Sequence, residues 1–317
     1  MSILNNANDI KLGSNQVTGV YVESTLIWPT SFWNFSAPVS GDELTVLVEP
    51  SAEINWGDGN TETLANSALT THTYTTGFIP NSFNFSVPGD VINFTANRLQ
   101  SPGDAIFGGV INVASLPNLE ILYVTGHDLT NIIGVNQATN IRIMNVLDNE
   151  LDGNIKQYMP PNTEEIQIRL NPIDEPIPDN TLAEFTSLRI IAAASLSNMG
   201  GSFPTLPTSI EEIGFGFCGM SGDLPSLTSY TNLNRLWVYL NNFGIPSGWA
   251  VPASLTNCDL SNNSLTSTEV DRTLIAFDNA GASNGTIYLG GNNAAPTGTG
   301  ITAKNSLISK GWTVNTS

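Results

Sequence analysis

Basic residues are scarce. Ten lysines and arginines stand against 28 acids over 317 residues, a formal charge of −18. A phosphate binder needs clustered Lys and Arg to displace counterions, so nucleic acid and anionic membrane surfaces are not expected partners. Charged residues of either sign make up only 12% of the chain, about half the usual share. The surface must therefore be built largely from Asn, Ser, Thr and Gly. There is no run of about 18 apolar residues, so no membrane-spanning helix is expected. Met1-Ser2-Ile3-Leu4-Asn5-Asn6 has neither the basic start nor the apolar run of an export signal, and none is expected. With two histidines, His72 and His127, and two cysteines, Cys218 and Cys258, no structural metal site or disulfide framework is expected.

What is present is repetition. The pattern L-x-x-L-x-L-x-x-N-x-L fits Ile141, Met144, Val146, Asn149 and Leu151, then Ile166, Ile168, Asn171 and Ile173. It returns at Ile210, Ile213, Phe215, Cys218 and Met220, at Leu233, Leu236, Val238, Asn241 and Phe243, and at Leu255, Cys258, Leu260, Asn263 and Leu265. Weaker copies read Ile92, Phe94, Asn97 and Leu99; Leu119, Leu122, Val124, His127 and Leu129; Leu188, Ile191 and Ala193; and Ile287, Leu289 and Asn292. This pattern resembles the leucine-rich repeat over about residues 91–317, and in that family cysteine is an accepted substitute at the asparagine corner. Each unit would supply a short strand with alternate residues inward, and stacking would create a core no single unit could bury. Asn149, Asn171, Asn241 and Asn263 should form a buried ladder. Thr266-Ser-Thr-Glu269 has capping-box spacing before an apolar run ending at Gly281, and Thr302 to Lys310 precedes Gly311, so two short C-terminal capping helices are expected.

Residues 36–90 follow another grammar. Leu44, Val46 and Val48 alternate as a strand, Trp56-Gly57-Asp58-Gly59 forms a turn, and His72-Thr73-Tyr74 follows. This resembles a PKD-type, immunoglobulin-like module, which implies a small β-sandwich. Asp58 could offer oxygen to calcium, but closing a hairpin is the simpler reading. His72 has no nucleophile partner in the pattern and is expected to pack near Trp56. Within residues 1–35, the segments Ile10 to Val22 and Glu23 to Pro29 fit a β-hairpin module. They resemble an N-terminal module of bacteriophage tail and virion structural proteins.

The fold expected is thus mainly β: hairpin module, PKD-like domain and solenoid. Cys218 and Cys258, two units apart at about 4.8 Å per strand, should stay free. The adjacent acids Glu164 and Glu165, and Glu211 and Glu212, raise the possibility of a glycosidase pair and so of a polysaccharide depolymerase, but adjacent strand residues point to opposite sides. The expectation is a chain that is not an enzyme and carries no cofactor. Outward strand positions should line a concave sheet, where Arg235, Trp237, Tyr239, Asp259 and Tyr288 are the candidate ligand-binding residues. Ala192, Ala194, Gly214 and Gly216 should leave a shallow trough beside them. Aromatic anchors with an arginine are the composition of a binding hot spot. The phage resemblance implies a virion protein, such as a tail fibre, spike or capsid-surface protein, whose N-terminus contacts other virion proteins or its own copies and whose solenoid meets a host-surface glycan or protein. A bacterial cell-surface adhesin is the alternative.

Overall fold

The computed structural model describes residues 42–74, 83–85, 91–97 and 106–316, together with short strands within residues 11–36. Of these short strands, Lys11–Leu12 pairs with Asn15–Gln16 and Val20–Val22 with Thr25–Trp28, both antiparallel. The rest of the expected N-terminal module lies outside the described residues.

A twelve-stranded sheet runs along the described chain. Its regular part is parallel: Asn93–Asn97, Ile121–Thr125, Ile143–Asn145, Glu165–Gln167, Ile190–Ala192, Glu212–Gly214, Arg235–Trp237, Asn257–Asp259, Thr286–Leu289 and Thr313–Thr316. The inward residues stack in one register, Leu122, Met144, Ile166, Ile191, Ile213, Leu236, Cys258 and Ile287, each buried. This is the leucine-rich-repeat arrangement: one short strand per unit, with a core shared only between neighbours.

At the other end the direction reverses. Glu43–Glu49 pairs antiparallel with both Asn93–Asn97 and Thr70–Thr73, so these strands extend the same sheet. A second small sheet of Ala52–Trp56, Thr61–Leu64 and Phe83–Phe85 contributes to the same hydrophobic core as Leu44, Val46 and Val48, through Ile54, Trp56 and Leu64. Trp56 is fully buried, stacks on His72 with centroids 4.6 Å apart, and its carbonyl accepts the Tyr74 hydroxyl. The expected packing of His72 near Trp56 is what the structure has.

Asp58 is part of the same knot. Its side chain is 1% exposed, and its two carboxylate oxygens accept from the Asn60 backbone N–H and from Asn60 Nδ2, the second also lying 2.8 Å from His72 Nε2. Burial pushes the carboxyl pKa up, but the bonds from Asn60 and His72 together outweigh it and hold the group below its ordinary value. A depressed folded value means stability that is whole above the unfolded value, about pH 4, and is lost as pH falls through the folded value. The wild type should therefore exceed Asp58→Asn in thermal midpoint at pH 7, with the gap narrowing toward pH 2. A gap that stays constant or widens in acid would remove Asp58 from this role.

The asparagine ladder is present, with Asn149, Asn171 and Asn263 buried and Asn241 half-buried. Asn263 Nδ2 donates to the carbonyls of Val238, Leu260 and Ser261, and its Oδ1 accepts from Phe243 N–H. Asn149, Asn171 and Asn241 repeat this plan, each accepting from a backbone N–H of the preceding unit. Two units differ from the pattern read in the sequence. In the unit after Asn257–Asp259, the ladder residue is Asn293 rather than Asn292, because Gly290 and Gly291 lengthen the corner; Asn293 is buried and accepts from Asn263 and Leu265, whereas Asn292 is exposed. In the first unit the inward pair is Phe94 and Ala96, opposite Leu122 and Val124, while Ile92 is exposed, so that unit is displaced by two residues. Cys218 fills a ladder position with its thiol toward the Ala193 carbonyl. Both cysteines are free, and burial pushes the Cys218 thiol up to about 12 and the Cys258 thiol upward as well.

The helices are Ser267–Ala280 (α1) and Gly298–Ser309 (α2). Thr266 and Glu269 make the reciprocal capping box, and Gly281 ends α1 at φ 81°. They pack on each other as the connections of the last units, and the sheet itself ends on the strand Thr313–Thr316. Trp312, just before that strand, lies edge-on to Phe277 of α1 at 5.6 Å and donates its indole N–H to the Ala282 carbonyl.

Candidate functional site

Every second residue of the parallel strands points away from the core, and these residues form rows across the open face. One row runs Tyr123, Asn145, Gln167, Ala192, Gly214, Trp237, Asp259, Tyr288 and Asn315. A neighbouring row, aligned through the backbone bonds of the following residues, runs Leu147, Arg169, Ala194, Gly216, Tyr239 and Ser261. The five candidate residues from the sequence therefore share one face, spread over three adjacent strands.

Their polar atoms are partly engaged. Arg235 Nη1 meets Glu212 at 2.6 Å, and its guanidinium lies 4.7 Å from the Trp237 ring centroid, a cation–π distance. Trp237 donates its indole N–H to Asn257 Oδ1. Asp259 accepts from the N–H and hydroxyl of Ser261 with a single oxygen. Trp237 and Tyr288 remain 37% and 41% exposed, enough ring face for a ligand to cover.

The trough is shallower than its small residues imply. A Cβ on Gly216 would stand 2.4 Å from the Tyr239 ring, so that ring lies over Gly216 and occupies the space. Gly214 and Ala194 are also buried. The face is a band of raised aromatic residues, not a groove beside them.

Sequence reasoning passed over a second set of exposed side chains. In six units the residue before the ladder position takes a left-handed φ: Asp148, Leu170, Ser195, Phe217, Leu240 and Asn262 lie between 53° and 63°. Bulky residues rarely adopt this conformation. It turns Leu170, Phe217 and Leu240 outward, 52%, 48% and 47% exposed, as an apolar margin along the ends of the strands. The repeat pattern leaves that position unspecified; only the corner geometry marks it.

At the opposite ends of the strands, charges neutralise one another. Arg142 bridges Glu120 and Glu164, and Arg189 makes a two-pronged pair with Glu211 at 2.8 Å. The Arg189 guanidinium holds the Glu211 carboxyl below the ordinary carboxylate range. Glu164 and Glu211 thus serve rim ion pairs, Glu212 pairs with Arg235, and Glu165 accepts from Gln167. Among the described residues no group of three or more His, Cys, Asp and Glu side chains could hold a metal ion, and no helix is long and apolar enough to cross a membrane.

No protein-family model and no curated protein matches the chain. Among solved structures it is similar to a leucine-rich-repeat protein of Leptospira interrogans, at 17% identity and a TM-score of 0.41, over 65% of this chain and 56% of that one. It is also similar to the leucine-rich-repeat ectodomain of the plant receptor kinase GASSHO1/SCHENGEN3 from Arabidopsis thaliana, at 15% identity and a TM-score of 0.39, over 71% of this chain and 38% of that one. The chain spans little more than half of the first and under two fifths of the second. The assignment of a leucine-rich-repeat fold stands on the chain's own strand register and amide ladder.

Proposed function

We propose that this chain is a non-enzymatic bacteriophage virion protein, a tail fibre, spike or capsid-surface component, that recognises the host surface through the open sheet face. In this reading residues 1–35 attach to neighbouring virion proteins, residues 36–90 form a PKD-like module, and residues 91–317 carry the recognition surface. The resemblance of the N-terminal segment to virion modules supports the location. The observation that carries recognition is the exposed aromatic pair Trp237 and Tyr288, beside the apolar margin of Phe217 and Leu240. Aromatic and apolar surface left open on a rigid sheet is characteristic of an interaction face.

Immunogold labelling of purified particles tests the location, and absence from particles would remove it. Adsorption of particles carrying Trp237→Ala tests the face. Truncating a central tryptophan in an interface lowers binding by on the order of 2 kcal/mol, roughly 30-fold. Tyr239→Ala should have a smaller effect, since its ring rests on Gly216. Wild-type adsorption by both folded variants would move recognition off this face.

A further inference from the structure

The recognition face holds a cation that the protein leaves without an acceptor. Arg142, Arg189 and Arg235 are each paired with glutamate, and Arg272 donates to the Ile245 carbonyl. Arg169 has no such partner. Its Nε is shielded from solvent and bonded to nothing, as is that of Arg235, but where Arg235 Nη1 meets Glu212, neither Nη of Arg169 has an acceptor among the described residues. A shielded guanidinium N–H without an acceptor is unfavourable, and the fork geometry of the group matches the two oxygens of a carboxylate or sulfate.

The position of Arg169 is as informative as its lack of a partner. It shares its row with Ala194, Gly216 and Tyr239. The Tyr239 ring covers Gly216, so only Ala194 separates the guanidinium's strand from the strand beneath that ring. From Arg169 to the Trp237 and Tyr239 strand is three strand spacings, about 14 Å, the span of two to three sugar rings. Along the same face, Asn145, Gln167 and Asn257 supply amides; Glu211 and Glu212 are neutralised by arginines, and Glu165, four residues before Arg169, accepts from Gln167. An aromatic platform, a row of amides and one uncompensated guanidinium on a shallow face suit a chain of pyranose rings carrying an acidic group better than a peptide, which would need pockets for its side chains.

From this juxtaposition we infer that the ligand of the open face is an acidic saccharide whose carboxylate or sulfate is read by Arg169 while a neighbouring ring lies on the aromatic band. The inference rests on the proposed recognition role of this face. Arrayed oligosaccharides test it: uronic-acid, sialylated and sulfated glycans beside neutral counterparts of the same backbone, probed with wild type, Arg169→Gln, Arg169→Lys and Trp237→Ala. Wild type should prefer acidic glycans at least tenfold. Arg169→Gln should abolish that preference without altering the melting temperature, Arg169→Lys should restore part of it, and Trp237→Ala should weaken all binding while keeping the preference. Binding to neutral glycans alone, binding to no glycan, or an acid preference unchanged in Arg169→Gln would each overturn the inference. Host adsorption by Trp237→Ala reports separately on the recognition role, so either reading can fail while the other stands.

Discussion

Replacing Trp312 with alanine is expected to destabilise the C-terminal units by about 3–5 kcal/mol, the range for deleting a buried aromatic side chain. The ring is 4% exposed, meets Phe277 of α1 edge-on, and closes over Gly285 so tightly that a Cβ there would stand 2.2 Å from it. Removing it leaves a cavity between α1 and the last strand, and leaves the Ala282 carbonyl without its indole donor. Because the core is shared only between neighbouring units, the loss should appear as an early transition confined to the end of the stack. Calorimetry should resolve a low-temperature component absent from wild type. A single transition at the wild-type temperature would contradict this.

Asn263→Leu should cost about 3 kcal/mol. Leucine keeps the branching of the side chain but is bulkier and makes no hydrogen bond, so the Phe243 N–H loses its acceptor and the carbonyls of Val238, Leu260 and Ser261 lose a shared donor. Each buried group left unsatisfied costs about 1–3 kcal/mol, with relaxation recovering part of the sum. Asn241→Leu should be similar, since Asn241 accepts from both Cys218 and Met220. The denaturant midpoint is the measurement, and an unchanged value for Asn263→Leu would mean the ladder bonds are replaced when lost. Leu196 and Cys218 already occupy ladder positions without an amide, so the stack tolerates a missing rung where the chain has adapted to it.

The ladder and the inward rows were legible in the sequence because both are dictated at fixed spacing by the strand and its corner. A residue that must be apolar or an amide in every unit leaves a periodic trace. Errors arose in two places: Gly290 and Gly291 lengthen a corner and move the amide to Asn293, and in the first unit the inward pair is Phe94 and Ala96 rather than Ile92 and Phe94. The open sheet face was legible only as a set of outward positions. Sequence places Arg169 and Arg235 on that face alike, but which of them meets a glutamate is decided across strands, where Glu212 stands directly beside Arg235. Nor does the sequence show that Tyr239 lies down on Gly216. Leu170, Phe217 and Leu240 escaped notice because the repeat template is silent at their position, and a left-handed backbone alone turns them outward.

The reversal of strand direction at Glu43–Glu49 bears on how such a chain can change length. An antiparallel strand closes one end of the parallel stack, whereas the strand Thr313–Thr316 at the other is itself parallel and stands at the edge of the sheet. At the Glu43–Glu49 end, therefore, there is no parallel edge fitted for another unit, and a longer stack bounded by that strand is made by duplication inside the array. Each internal copy of about 22 residues would move the two ends apart by one strand spacing, about 4.8 Å, while preserving both ends and the local amide bonding. Reach could then vary in small steps while the outward side chains of the existing units stay unchanged.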